Sequence, residues 1–577
     1  MRVRCETLSS PDALHEALEG GGRVALDLQT AGSGRAGATL AGVGLCFEPG
    51  VAYHVSLGSD AANDGTWLRE LRPALGAGGL HDAKPGLVAL GRRGLEVEAP
   101  AFDTLLAAFL LDGRAYELEE LLADRLGEEL TVGDGAERAC ARAEGVLRLG
   151  GPLAAELEER EQLWYLEEIE LPLIPVLAGM ELAGIAVDVA ALAQLSDRLA
   201  RKLREIEAEM AEAVGHEVNP RSPRRLRELL YEELGLEGDR RTSSGRYSTD
   251  ALALEALAGQ HPVVEKIVEH RRLSRLKNAY ADALPHLVDP ETGRLHTTFS
   301  QVSTSSGRIV TREPNLQNIP VRTGMGREIR RAFVADGSGL GMRGPSVLLS
   351  VDYSQIELRV LAHVTGEERL CEAFRRDEDV HALTAARLYE VPPEEVTASM
   401  RRVGKTLNYG VIYGMTGYRL ALEAGIDRSE ATAFVRRHRE QYPAVRTYFE
   451  RTLKRAEETG YVETPLGRRR YLPELSSRNR QRREASRRAA ENMPNQGMVA
   501  EIIKRAMVSV HARLREREAH MLLQVHDELL LEVPESELEE TARLVVREME
   551  GAADLSVPLK AEAKHGPSWG EMRPLQR

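Results

Sequence analysis

The chain has 577 residues, 42% hydrophobic and 29% charged, with a net charge of −14 at pH 7. This is the balance of a soluble globular protein, too long for one ordinary core and so expected to divide into several domains. No apolar run is long enough to span a bilayer, the opening residues MRVRCETLSSPDALHEAL form neither a signal nor a transit peptide, and the negative charge argues against indiscriminate nucleic-acid binding without excluding one basic cleft.

Up to about residue 150 the pattern mixes short strands (Val24–Leu28, Val43–Phe47, Ala52–Leu57) with helices and Gly-rich connections. From Ala154 it turns helical and acidic, broken by Pro172 and Pro175, and a second helical block covers Asp188–Val214. A polar Arg/Ser stretch over 219–249 reads as helix and mobile loop, and VVEKIVEHRRLSRLKNAYADAL as a further helix. Strands return near His296–Thr304, before the irregular STSSGRIVTREPNLQNIPVR. A loop, ADGSGLGMRGPS, has no evident function and leads into a buried strand, Val347–Tyr353. Helices dominate Gln355–Glu458, then come an Arg-rich block, a helix over Met498–Arg517 and an apolar hairpin, MLLQVHDELLLEV. Cys5, Cys46, Cys140 and Cys371 show no CxxC spacing, so neither a zinc site nor a disulfide framework is expected, which suits a reducing cytosol.

Three stretches carry candidate chemistry. In LLSVDYSQIELRVLAH a buried strand ends at Asp352, and in VHDELLLEV Asp527 and Glu528 sit between two buried blocks. Taken singly, Asp352 fits a helix N-cap and Asp527 a tight turn. Taken together, two strand-end aspartates can meet across a sheet and hold divalent cations through hard oxygen ligands, an arrangement suited to in-line displacement at phosphorus. In MRRVGKTLNYGVIYG, Arg401, Lys405 and Tyr409 recur every fourth residue and share one helix face, with Tyr413 a step further. A guanidinium fork, a point charge and an aromatic plate in that order suit a nucleoside triphosphate; the alternative is a solvated basic face with a core Tyr. Gly404 and Gly410 suggest a close approach or a bend. Arg308, Asn315, Gln317, Asn318, Arg322, Asn492 and Gln496 can donate to minor-groove acceptors common to all base pairs, and the Arg478–Arg488 block can follow phosphates or be a solvated face.

VDYSQIELR, RRVGKTLNYGVIYG and QVHDELLLEV resemble, in order, motifs A, B and C of the family A DNA polymerases, the DNA polymerase I group. LKNAYADALP, DVHALTA and NMPNQGMVAEIIKRAM share the resemblance, which runs from about residue 160 to the C-terminus. It implies a multidomain α/β and α+β fold. An RNase H-like exonuclease-type domain (1–155) precedes a right-hand polymerase domain (156–577). The thumb falls at about 185–296, the palm at about 156–184, 297–375 and 498–577, and the fingers at about 376–497. It also implies a template-directed polymerase using two Mg²⁺ ions, with Mn²⁺ able to substitute, and taking primer-template DNA and dNTPs. Such a protein would be a cytoplasmic, nucleoid-associated monomer with no membrane contact.

Residue by residue, the resemblance makes Asp352, Asp527 and the Tyr353 carbonyl metal ligands, and Glu528 an accessory acid. Arg401 and His381 would meet the triphosphate tail, and Lys405 would neutralise the reacting phosphate and could protonate pyrophosphate. Tyr409 would stack on the nucleotide, Tyr413 shape the templating pocket, Gln355 line the nucleotide site and Glu357 act as the steric gate against a ribose 2′-OH. Arg308, Asn492 and Gln496 would read the minor groove near the primer end, His526 lie by the primer terminus, and Asn315, Gln317, Asn318, Arg322 and Arg488 contact DNA.

Three departures stand out, and one is Tyr409, where many bacterial members of the family carry Phe and where the resemblance implies that Tyr goes with readier use of dideoxynucleotides. An active exonuclease of this family carries Asp-x-Glu on its first strand; here ALDLQTA keeps Asp27 but has Gln29, and Pro85 replaces the second-motif Asp. Arg138 and Arg142 align with the third-motif Tyr and Asp. One carboxylate beside a guanidinium should not hold two divalent cations. The expectation is therefore a structural remnant without proofreading, with Asp103 purely structural. No stretch resembles the family's 5′-nuclease domain. The readings set against a polymerase are an idle DNA-binding scaffold, disfavoured by the intact motif residues, and a residual 3′–5′ nuclease, disfavoured by Gln29 and Pro85.

Overall fold

The computed structural model describes residues 3–575 except 20–21, 32–38, 59–60, 97, 131–132, 134, 239, 243, 321–323 and 413. Among the described residues, no helix is long and apolar enough to cross a membrane.

The N-terminal unit is built on a six-stranded sheet in the order Arg4–Thr7, Val51–Ser56, Thr39–Glu48, Ala25–Ala31, Gly79–Leu80, Phe102–Asp103. Its central pair is antiparallel, with Asp27 opposite Gly44 and Gln29 opposite Gly42. The helix Ala136–Glu159 packs across this sheet. That packing closes a disulfide between Cys5 and Cys140, Cα atoms 5.7 Å apart, where no disulfide framework is expected from the spacing. Spacing along the chain carries no information about a pair joined only by tertiary packing; Cys46 and Cys371 are free and buried.

The helix Leu171–Ala183 is apolar all round because it serves two cores. Leu171, Ile174 and Ala178 face the N-terminal core, and Leu173, Val176, Leu177 and Met180 the following one. The division drawn at 155/156 from the sequence thus falls inside the Ala136–Glu159 helix, and the N-terminal core continues to Ala178.

The second sheet is antiparallel, ordered His520–Val525, Glu528–Pro534, Ser346–Tyr353, Ala561–Gly566, Arg573–Pro574. Beside it rises a pair of long helices, Val189–Val214 and Pro262–Leu276. The first starts where Asp188 accepts the Ala191 N–H (2.8 Å) and buries Leu192, Leu195, Leu199, Leu203, Ile206 and Met210 on one stripe. The helices Val380–Tyr389, Ala398–Ile412, Gly417–Ala424 and Arg428–Gln441 pack around small cores of their own. The helix expected at Met498–Arg517 is longer, Arg480–Leu514, and takes in the end of the Arg-rich block. Asn479 caps it through the Gln481 and Arg482 N–H groups, and the buried Ala490, Met493 and Gly497 extend its apolar stripe.

The ADGSGLGMRGPS loop acquires a structural account. Glu532, fully buried, accepts the Asp336 N–H (2.6 Å), the Gly337 N–H (2.5 Å) and the Ser346 hydroxyl (2.8 Å), and pairs with the buried Arg294 at 2.7 Å. One carboxylate pins both ends of the loop to the sheet.

Candidate active site

Asp352 ends the central strand of the second sheet and stands opposite Glu528 on one neighbour and Glu562 on the other. Asp527 is the second residue of the two-residue turn between His520–Val525 and Glu528–Pro534; the first, His526, has φ 59°, and the left-handed conformation it takes is rare for a side chain larger than Gly. The Tyr353 N–H donates to the Asp527 carbonyl (3.1 Å), which fastens the turn beside Asp352. Asp352 does not cap the following helix, since Gln355, at φ 55°, holds that position. Burial pushes the Asp352 carboxyl up to about 8, with Asp527 and Glu528 adding repulsion and Lys564 opposing it. Burial also raises Asp527, and Glu357 adds to it. Two adjacent carboxylates, each raised by burial foremost, are a donor set that a divalent cation fits.

Glu528 is engaged differently. Its Oε1 accepts from the Ser350 hydroxyl (2.6 Å) and the Trp569 indole N–H (3.0 Å), and Arg330 lies 3.8 Å from its Oε2 while stacking over Trp569. These ties fix its position beside the aspartates. Ser350, on a strand, Arg330, on a helix, and Trp569, in a turn, carry no sequence signal of this role, because only tertiary packing brings them together.

The helix Ala398–Ile412 packs on Ile356–Thr365, which starts just past Asp352. Gly404 permits a close approach: a Cβ there would lie 2.5 Å from the His381 carbonyl. Lys405 is exposed and Tyr409 half-buried, its ring 5.6 Å from that of His381. Arg401 donates Nε to Asp379 Oδ2 (2.5 Å), a partner that the sequence reading missed. Asp379 also caps the His381 helix through the His381 and Ala382 N–H groups. His381 is buried and accepts from the Asn408 amide (3.1 Å); burial, with Lys405 nearby, lowers it to about 4. It is thus a neutral imidazole near neutral pH.

Arg308 reaches Glu357 at 2.7 Å, which joins one expected minor-groove residue to the expected steric gate. Asn492 and Gln496 lie one turn apart on the long helix, both half-buried, while Arg488, Asn318 and His526 are exposed. Gln317 behaves as a brace. Its amide accepts the Thr311 N–H and donates to Ile309 and Gln524, and Asn315 accepts from the Thr311 hydroxyl. Arg322 and Tyr413 lie outside the described residues.

In the N-terminal unit, Arg142 bonds Asp27 (2.8 Å) and Glu119 (2.6 Å). Burial raises the Asp27 carboxyl and the Arg142 charge opposes this. Gln29 donates to the Gly135 carbonyl (2.8 Å), and Pro85 lies in the helix Ala83–Arg92. Asp103 caps Thr104–Asp112 through the Leu105 and Leu106 N–H groups. A cleft of about 800 Å³ is lined by Asp27, Pro85, Arg142, Glu181 and Gln301 among others.

Residues 189–571 match the model of DNA polymerase family A, and this chain belongs to that family. It is 46% identical to the thermostable DNA polymerase I of Thermus thermophilus over 88% of this chain and 60% of that protein, and 41% identical to DNA polymerase I of Bacillus subtilis over 85% and 57%. The chain spans about three fifths of the length of these curated relatives. A solved structure, the POL domain of Pol1 from M. smegmatis in complex with DNA primer-template and dNTP, superposes with TM-score 0.90 at 36% identity, covering 98% of this chain and 99% of that one.

Proposed function

We propose that this chain is a template-directed DNA polymerase that extends a primer 3′ end and does not proofread. The observation that carries the reading is the pairing of Asp352, near a strand end, and Asp527, in the adjoining turn, two half-buried carboxylates each raised by desolvation and by an acidic neighbour, beside the helix bearing Arg401, Lys405 and Tyr409. The carboxylates of Asp352 and Asp527 and the Tyr353 carbonyl would hold Mg²⁺, with Mn²⁺ as a substitute. When bound, the divalent cations supply charge neutralisation at phosphorus and ease loss of the 3′-hydroxyl proton. The bond from the primer 3′-oxygen to the α-phosphorus forms as the bond to the pyrophosphate oxygen breaks.

The chain's own groups position and neutralise. Arg401 grips the terminal phosphates, Lys405 offsets charge on the leaving pyrophosphate and can protonate it, and Tyr409 stacks on the incoming nucleotide. Glu357, anchored by Arg308, narrows the space beside the sugar, and Asn492 and Gln496 meet the minor groove. The Arg142 guanidinium on Asp27 and the amide at Gln29 support the absence of 3′–5′ cleavage.

A labelled primer on a longer template, incubated in Mg²⁺ with and without dNTPs beside Asp527→Ala, tests both halves. Expected are extension by the wild type, none by the variant, and an intact primer without dNTPs. DNA binding without extension would favour the scaffold reading, and primer shortening that persists in the variant would overturn the loss of proofreading.

A further inference from the structure

Outside the active site, a deeply buried cluster of ionisable side chains is left unused by the mechanism. Glu170, Arg468, Lys504 and Glu501 are each almost wholly buried. Lys504 Nζ donates to Glu170 Oε1 at 2.5 Å, and Arg468 Nη1 lies 3.5 Å from the same oxygen. Gln301 Nε2 donates to Glu170 Oε2 (2.8 Å) and to the Glu170 carbonyl (3.0 Å). Glu501 accepts from Thr464 (2.7 Å), and burial pushes its carboxyl up to about 8. Sealing such charges from water costs several kcal/mol per ion, so a buried pair is weak evidence of added stability. What it offers here is fixed geometry.

Glu170 receives three separate chain segments. Gln301 begins the arm that carries Arg308 seven residues on. Arg468 belongs to the 461–471 hairpin and braces that arm: Gly307, at φ 82°, approaches so closely that a Cβ would lie 2.4 Å from Arg468 Nη1. Lys504 lies on the helix that presents Asn492 and Gln496, two turns past Gln496. On that helix Gly497 packs against Thr464 of the same hairpin, where a Cβ would sit 2.5 Å from Thr464 Cγ2. Glu170 itself precedes the residues matched to the polymerase family, in the segment that joins the N-terminal unit to the sheet.

We propose that Glu170 is a positioning residue for primer-end recognition: through Gln301, Arg468 and Lys504 it sets the spacing between the Arg308 arm and the Asn492/Gln496 helix, and so the discrimination between paired and mispaired primer termini. The inference rests on the polymerase reading above. The test compares extension from a matched and from a single-mismatch primer terminus, with the dNTP KM measured at saturating DNA, for wild type, Glu170→Gln and Gln301→Met. The second variant cuts the arm from Glu170 while leaving both cation pairs intact, so it serves if Glu170→Gln does not fold. The matched-to-mismatched ratio should fall about tenfold in each folded variant, a modest share of what a misplacement of about 1 Å can cost, while the dNTP KM is unchanged. Loss of extension from both primers in equal proportion, or an unchanged ratio in a folded variant of an active enzyme, overturns the inference alone. A wild type that extends neither primer overturns the polymerase reading and the inference with it.

Discussion

Asp379 pairs with Arg401, and in the proposed polymerase that contact would compete with a triphosphate. Asp379→Asn separates the two jobs of this side chain. The amide oxygen can still accept the His381 and Ala382 N–H groups that cap the helix (3.0 and 3.1 Å), while the charge opposite Arg401 is lost. The Asp379 carboxyl is pulled up by desolvation, yet Arg401 and the helix N–H groups outweigh this and hold it below the usual range, so the pair is ionised near neutral pH. Both side chains are half open to water, at 45% and 41% exposure, which places the contact in the class of surface ion pairs worth about 0.2–1 kcal/mol. Freeing Arg401 should therefore lower the KM for dNTP by about 1.4- to 5-fold. The turnover number should hold, because the bonds that change are remote from Asp379. Steady-state single-nucleotide insertion under saturating primer-template reads both parameters. A KM that rises, or one unchanged at low and moderate salt alike, would refute the competition. A fall that vanishes at high salt would support it, since screening weakens the exposed pair in the wild type.

Three further outcomes are expected. The Cys5–Cys140 cross-link spans 135 residues, which in the chain-entropy account removes about 5 kcal/mol of denatured-state freedom; Cys140→Ser, or dithiothreitol, should make the N-terminal unit cleavable by protease at lower urea while primer extension persists, and an unshifted urea profile would count against the bond. His438 is held down at about 3 and His381 at about 4, both by burial foremost, against 6.5 in an unfolded chain. Their folded pKa values are depressed, so this stability is complete above about pH 6.5 and is lost as pH falls towards 4, at about 1.4 kcal/mol per group by pH 5.5; urea midpoints measured from pH 7 to 5 should drop accordingly, with a shallower drop in His438→Gln, and parallel slopes would contradict it. Tyr409 stands where many bacterial family members carry Phe, and the resemblance links Tyr to readier use of dideoxynucleotides; Tyr409→Phe should raise discrimination against them, and equal discrimination in a chain-termination assay would sink the point.

The sequence determined the parts whose signal is local. The stripe Leu192–Met210 follows from helical period, the apolar run ending at Asp352 marks a strand with both faces covered, and the triad Arg401–Lys405–Tyr409 shares a helix face by spacing alone. The two aspartates were legible as strand-end carboxylates, and motif order tied them to one family. What only the tertiary structure decided are pairings between distant segments. Cys5 meets Cys140 because a helix crosses a sheet, Asp379 meets Arg401 because Gly404 lets two helices close, and Glu532 pins the 336–346 loop because strand register brings them together. Gln317 is expected from the sequence to contact DNA, and the structure adds that its amide braces Gln524, a tertiary contact that composition does not announce. Glu170 shows the same limit: a glutamate in an acidic helix carries no mark of burial, and only the convergence of Gln301, Arg468 and Lys504 on it reveals that its charge has been taken out of water.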